Sequence, residues 1–125
     1  MRRGPRSAAA LITARRHPAG HLEGRAARGS GRRGQILASF LQGEIQGDLD
    51  AARSLLAGIG AVERGEAPPS PATGNAFTLS MSADGIAIRN ALIANSRSEH
   101  YDFAEMRVAL GTWIAAIERA RRNPA

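Results

Sequence analysis

The residues best able to do chemistry are few and scattered. His100 stands beside Glu99 and two positions before Asp102, and a histidine among carboxylates can serve as a general acid or base. The same positions carry a structural explanation, because Asp102 followed three residues later by Glu105 reads as a helix-capping pair. His17 and His21 are four apart, a spacing that would suit a metal on one helix face, but Pro18 and Gly20 oppose a helix there. Asp48 and Asp50 lie two apart and fall on different helix faces, so they do not act as a carboxylate pair. Gly58-Ile59-Gly60 lacks the Gly-Lys-Ser/Thr of a phosphate-binding loop, and no serine sits in a Gly-x-Ser-x-Gly elbow. With no cysteine there is no disulfide, zinc–thiolate site or thiol nucleophile. Nothing assembles a nucleophile, a base and an orienting group. The expectation is a protein that is not an enzyme and has no catalytic residues, cofactor or metal.

The arginines are the other chemical feature. All 17 basic residues are Arg, in a chain of net charge +6. Nine of them, with the single acid Glu23, lie in residues 1–34; the remaining eight share residues 35–125 with ten acids. The basic character therefore belongs to a head, and the body is mildly acidic. Arg suits bidentate phosphate binding, although a GC-rich coding bias, which also inflates Ala and Gly, explains the lack of Lys. Within the head, Arg25 precedes, and Arg28, Arg32 and Arg33 belong to, the Arg/Gly segment 27–34, a composition that binds single-stranded nucleic acid by charge and stacking. No aromatic residue is interleaved to stack on bases.

Stepping through the elements, the head reads as a disordered extension. Glycines and prolines recur, and Leu11, Ile12 and Leu22 are its only aliphatics beyond alanine. Ala8 to Ala14 is too short for the apolar core of a signal peptide; a transit peptide would fit only a eukaryotic source, and translation from a start codon set upstream of the body also accounts for the head. The expected division is thus residues 1–34 as extension and 35–122 as one domain. No apolar run approaches the roughly 18 residues of a membrane span.

The body opens with Ile36 to Gln42, read as a strand because Gly43 and Gly47 follow, against a helical alternative in which Leu37, Leu41, Ile45 and Leu49 recur every four residues. Asp48 caps a helix over 48–60, with Leu49, Ala52, Leu55, Leu56 and Ile59 on one face and Gly58 and Gly60 ending it. Val62 to Gly74 is a proline-rich linker. Next comes a β-hairpin. Phe77, Leu79 and Met81 alternate with Thr78, Ser80 and Ser82, and Ile86 and Ile88 share a face on the return. Only an even loop keeps one face apolar, and Asp84-Gly85 is the preferred two-residue turn, pairing Met81 with Ile88. Leu92 and Ile93 extend the strand, 95–100 is a polar loop, and Asp102 opens a helix to residue 120. Its stripe of Met106, Leu110, Trp113 and Ile117 should cover the hairpin, with Trp113 the largest buried residue.

The run Gly74-Asn75-Ala76-Phe77-Thr78-Leu79, then Asp84-Gly85-Ile86-Ala87-Ile88, then Tyr101-Asp102-Phe103 opening the helix of Trp113, resembles the YacL-like family of small bacterial proteins. Phe40 to Asp48 is similar to the opening of such proteins. The resemblance covers about residues 35–119. It implies a small α+β domain and brings no catalytic residue with it.

The fold expected is therefore α+β: a three-stranded, mainly antiparallel sheet (near 36–42, 76–82 and 86–92) with two helices on one face. The function expected is a non-catalytic, cytoplasmic protein-interaction module, with an immunity-like role by looser analogy. Nucleic-acid binding through Arg25, Arg28, Arg32 and Arg33 is the alternative. A body of this size buries only about 60–65% of its unfolded surface, so the expected partner is another protein or a second copy of the chain, and no membrane.

Overall fold

In a computed structural model of the chain, the described residues are 10–66, 71–73, 76–93 and 96–122. The start of the basic head, Pro68-Pro69-Ser70, Gly74-Asn75, Asn95 and the Asn123-Pro124 helix stop lie outside them. The architecture is α+β with antiparallel sheets. In chain order the elements are β1 (Ile12–Arg16), β2 (Leu22–Ala26), α1 (Gly31–Phe40), a π-helical turn (Leu41–Ile45), α2 (Leu49–Glu63), β3 (Pro71–Thr73), β4 (Phe77–Ser82), β5 (Gly85–Asn90), β6 (Glu99–Tyr101) and α3 (Phe103–Arg122). β1 and β2 form a two-stranded sheet; the other four strands form a second, in the order β3-β4-β5-β6.

The largest departure from expectation lies in residues 10–34, which are not a disordered extension. β1 and β2 pair from Ile12 opposite Ala26 to Arg16 opposite Leu22. The alternation is real but is written in small residues. Ile12 and Ala14 on β1 share a face, as do Leu22, Gly24 and Ala26 on β2, and Arg15 and Glu23 pair on the other side at 2.9 Å. Small residues are required there. A Cβ on Gly24 would stand 3.1 Å from the Trp113 ring and 3.1 Å from the Ala38 carbonyl. Leu11 and Ile12 join the hydrophobic core, so the boundary at residue 35 is not a structural one.

Ile36 to Gln42 is also corrected. The helical alternative holds: α1 runs to Phe40 and passes straight into the π turn, because Leu37, Leu41, Ile45 and Leu49 are all buried at four-residue spacing. α2 starts as expected, with the Asp48 carboxylate accepting from Ala51 N at 3.0 Å. It does not stop at Gly58 and Gly60. Burial of Ile59 and Val62 carries it to Glu63.

The hairpin keeps its apolar parity and changes its turn. Leu79 pairs with Ile88 and Met81 with Ile86, and Ser82 opposite Gly85 closes the ladder over Ala83-Asp84. A type I′ turn needs positive φ at both central residues, and Asp84 does not have it. Gly85 takes the positive φ (+134°) instead, as the first residue of β5, where a Cβ would meet the Tyr101 carbonyl at 2.5 Å. Asn90 accordingly faces Phe77, not Leu79. The strand ends there, leaving Leu92 and Ile93 exposed. Glu99 and His100, expected in a loop, pair with β5 together with Tyr101, and Pro71–Thr73 lies on the opposite sheet edge, the place where a sheet tolerates proline.

α3 carries the expected stripe. Met106, Leu110, Trp113 and Ile117 are all buried, and Trp113 is the largest fully buried side chain. Its Asp102–Glu105 cap is reciprocal: Glu105 N donates to Asp102 Oδ1 at 2.7 Å, and Asp102 N to Glu105 Oε1 at 3.0 Å. α3 packs chiefly against α2 and β1, and reaches the hairpin at β5.

Candidate binding cleft

Two unusual turns meet at one pole of the molecule. The first joins β1 to β2. His17 N donates to His21 O at 2.7 Å and Gly20 N to His17 O at 2.8 Å, so a tight turn, not a helix, brings the two histidines together. Their rings stack with centroids 4.5 Å apart and planes 16° from parallel. Ala19 N donates to His17 Nδ1 at 3.0 Å. Stacked rings do not aim two lone pairs at one point. Among the described residues no group of three His, Asp or Glu side chains could hold a metal ion.

The second is the π-helical turn. It ends at Gln46, whose φ of 55° and ψ of −135° lie outside the regions open to side-chain-bearing residues. Such a conformation costs on the order of 1–3 kcal/mol and persists only where its surroundings hold it. Three hydrogen bonds do so. Gln46 N donates to Leu41 O at 2.8 Å, its side-chain amide donates to Gly43 O at 2.9 Å, and its carbonyl accepts the Trp113 indole N–H at 2.7 Å. Gln42, one turn earlier, accepts from Gly24 N at 2.9 Å and so ties this segment to β2.

Between these turns and the end of α3 lies a cavity of about 410 Å³. Leu22, Ile117 and Ala120 supply its apolar surface; Gln42, Gln46, His21 and Arg121 supply its polar groups. A neighbouring hollow of about 230 Å³ shares Ala120 and is lined by Arg16, Ala116 and Arg119. Among the described residues lining the two, none is acidic. Arg122 is exposed one residue beyond. π turns and strained backbone both concentrate at functional sites, and the volume falls within the roughly 300–1,000 Å³ of ligand pockets.

The arginines read as nucleic-acid contacts lie elsewhere, and most of them have internal partners. Arg32 pairs with Glu99 at 2.6 Å. Arg33 pairs with Glu105 at 2.5 Å, donates twice to the His100 carbonyl, and stands 5.1 Å over the Tyr101 ring. Tyr101 returns a hydrogen bond from its hydroxyl to Arg33 O at 2.7 Å. These bonds fasten α1 to β6 and the start of α3. Burial pushes the Tyr101 phenol up. Burial alone would raise Glu105, but the Arg33 hydrogen bond, the Asp102 N–H and the Arg33 charge together hold it below the usual carboxylate range. Arg25 is 3.6 Å from Glu23, and Arg28 is exposed.

His100 lies on the outer face of the large sheet, opposite Ala87. It lines a shallow hollow with Ser80, Ser82 and Asp84, an assembly that register alone creates. Among the described residues no hydrogen bond joins either serine to His100; Ser82 Oγ accepts from Asp84 N instead. From the sequence, Gln42 and Gln46 carry no site role, and Arg121 suits only the negative end of the helix dipole. The signal that could have found the first two was the helical spacing running unbroken through Gly43.

A scan of protein-family models and searches of curated proteins and of solved structures each found no match.

Proposed function

We propose that the protein is a non-catalytic protein-interaction module of the bacterial cytoplasm, and that the cleft between the β1–β2 turn, the π turn and α3 is its contact surface. Similarity to the YacL-like family and an immunity-like role belong to this proposal. The observation that carries it is Gln46, held in a costly conformation at the wall of the cleft by the Trp113 indole and two further hydrogen bonds. Backbone held in so sparsely populated a region clusters at functional sites. Of the described helices none is long and apolar enough to cross a membrane.

The test is site-specific photo-crosslinking in the native host. A photoreactive residue at position 120, on the cleft, should trap a discrete protein partner, and one at position 80, on the outer face of the sheet, should not. Identical products from both positions, or none from position 120, would remove the reading.

Nucleic-acid binding remains a second reading because Arg28, Arg121 and Arg122 are exposed. It requires affinity that falls steeply with salt and is lost when those three arginines are replaced.

A further inference from the structure

We infer that the cleft is also a binding site for a single nucleobase, read by its hydrogen-bonding edge and stacked on His21. The inference goes beyond the protein contact and needs no protein partner. Two glutamines one turn apart line the cleft, and each has half of its side-chain amide committed to the backbone. Gln42 accepts from Gly24 N through Oε1 at 2.9 Å, so its NH₂ group is the part left to a ligand. Gln46 donates from its NH₂ group to Gly43 O at 2.9 Å, so its Oε1 is the acceptor left. These backbone partners fix which way both amides face. The wall therefore offers a donor from one residue and an acceptor from the other. Its complement is a ligand edge with an acceptor beside a donor, and every nucleobase has one. In uracil and guanine it is a carbonyl next to a ring N–H; in adenine and cytosine it is a ring nitrogen next to an amino group.

The faces of a base are served as well. Imidazole is among the rings on which unstacked bases stack. One face of the His21 ring lies on His17; His21 is exposed and lines the cleft, which His17 does not. The second face of the His21 ring is thus open to a ligand. Leu22, Ile117 and Ala120 supply an aliphatic surface, and extruded bases are held between aromatic and apolar side chains. The cavity of about 410 Å³ has room for one base and its sugar, not for a strand. An extended peptide also shows a carbonyl and an N–H along one edge, but it has no flat face to lay on an imidazole. The recognition is by amide polarity and ring faces, so the arginines around the cleft and their partners do not enter it.

The test is titration of the ¹⁵N-labelled full chain with uridine and with adenosine. The reporter is the indole N–H of Trp113, the only tryptophan, which donates to the Gln46 carbonyl and gives a single cross-peak. At least one nucleoside should shift that peak saturably. Its edge-blocked form, 3-methyluridine or N6,N6-dimethyladenosine, should bind about tenfold more weakly or worse. Gln42→Glu keeps an acceptor for Gly24 N and removes the donor group. It should weaken binding about tenfold while leaving the indole peak of the free protein in place. His21→Ala should weaken binding similarly, and His21→Phe, which restores a flat ring, should recover it. A short RNA of the same base that binds about tenfold tighter than its nucleoside supports the site with a strand as the source of the base. Equal affinity supports it with a free nucleoside. No saturable shift from either nucleoside, equal binding of the edge-blocked form, binding indifferent to His21→Ala, or displacement by N-acetyl-leucine N-methylamide at lower concentration would overturn the inference. Because no partner is present, loss of nucleoside binding and loss of the photo-crosslink at position 120 are separate results.

Discussion

Gln46 is the residue on which the proposed cleft turns. Its positive φ follows from the extra residue of the π turn, and the Trp113 indole fixes its carbonyl. Glycine enters this region freely, whereas a β-branched side chain is strained there. Gln46→Val should therefore be less stable than Gln46→Gly by about 2 kcal/mol, read as a difference in urea midpoint at equal slope. Coincident midpoints would show that the backbone at residue 46 is not strained. No sequence pattern announces this conformation. Glutamine is an ordinary surface residue, and what forces it is the tertiary bond to a tryptophan 67 positions away.

At the scale of elements, what could be read in advance was whatever local chemistry decides. Asp48 and the Asp102–Glu105 pair cap their helices because short-range hydrogen bonds suffice to place them. The hairpin's apolar parity was equally legible, since Leu79, Ile86 and Ile88 leave one face to bury. The turn position was not, because it is set by the approach of Tyr101 to Gly85 from a strand that pairs only in the folded sheet. β1 and β2 were missed for a related reason: their inward positions hold Ala14, Gly24 and Ala26, whose smallness matters only once Trp113 and Ala38 close on them. The bond network between α1, β6 and α3 has a measurable signature. Glu105 titrates below its ordinary pKa of 4.5 in the folded chain. Its contribution to stability should be present above that value and be lost as pH falls through the lowered native pKa. Glu105→Gln should remove this part of the acid dependence, at a cost on the order of 1 kcal/mol at neutral pH. Unfolding free energies of both proteins between pH 3 and 7 would check it; parallel curves would sink the assignment.

For the molecule as a whole, the expected division at residue 35 is the correction with the widest effect. A basic head and an acidic body are visible in the charge, but the charges meet across the division: Arg32 with Glu99, Arg33 with Glu105. Leu11 and Ile12 contribute to the same core as Trp113, and Ala14 and Leu22 pack against it. A chain beginning at residue 35 should lack a cooperative thermal transition, where the full chain shows one. Circular dichroism with heating would decide between them, and an intact transition in the shorter chain would restore the head to the status of an appendage.

The hydrogen bonds from Arg33 to the His100 carbonyl have a consequence of a different kind. β6 is the last strand of its sheet, and an unguarded last strand is a template for another chain to polymerise upon. Arg33 occupies an acceptor on that strand, and Arg32 holds a second guanidinium beside it through Glu99. Arg32 and Arg33, two of the arginines that look from composition like a grip for nucleic acid, thus place charge along an exposed sheet edge, a device that disfavours edge-to-edge pairing.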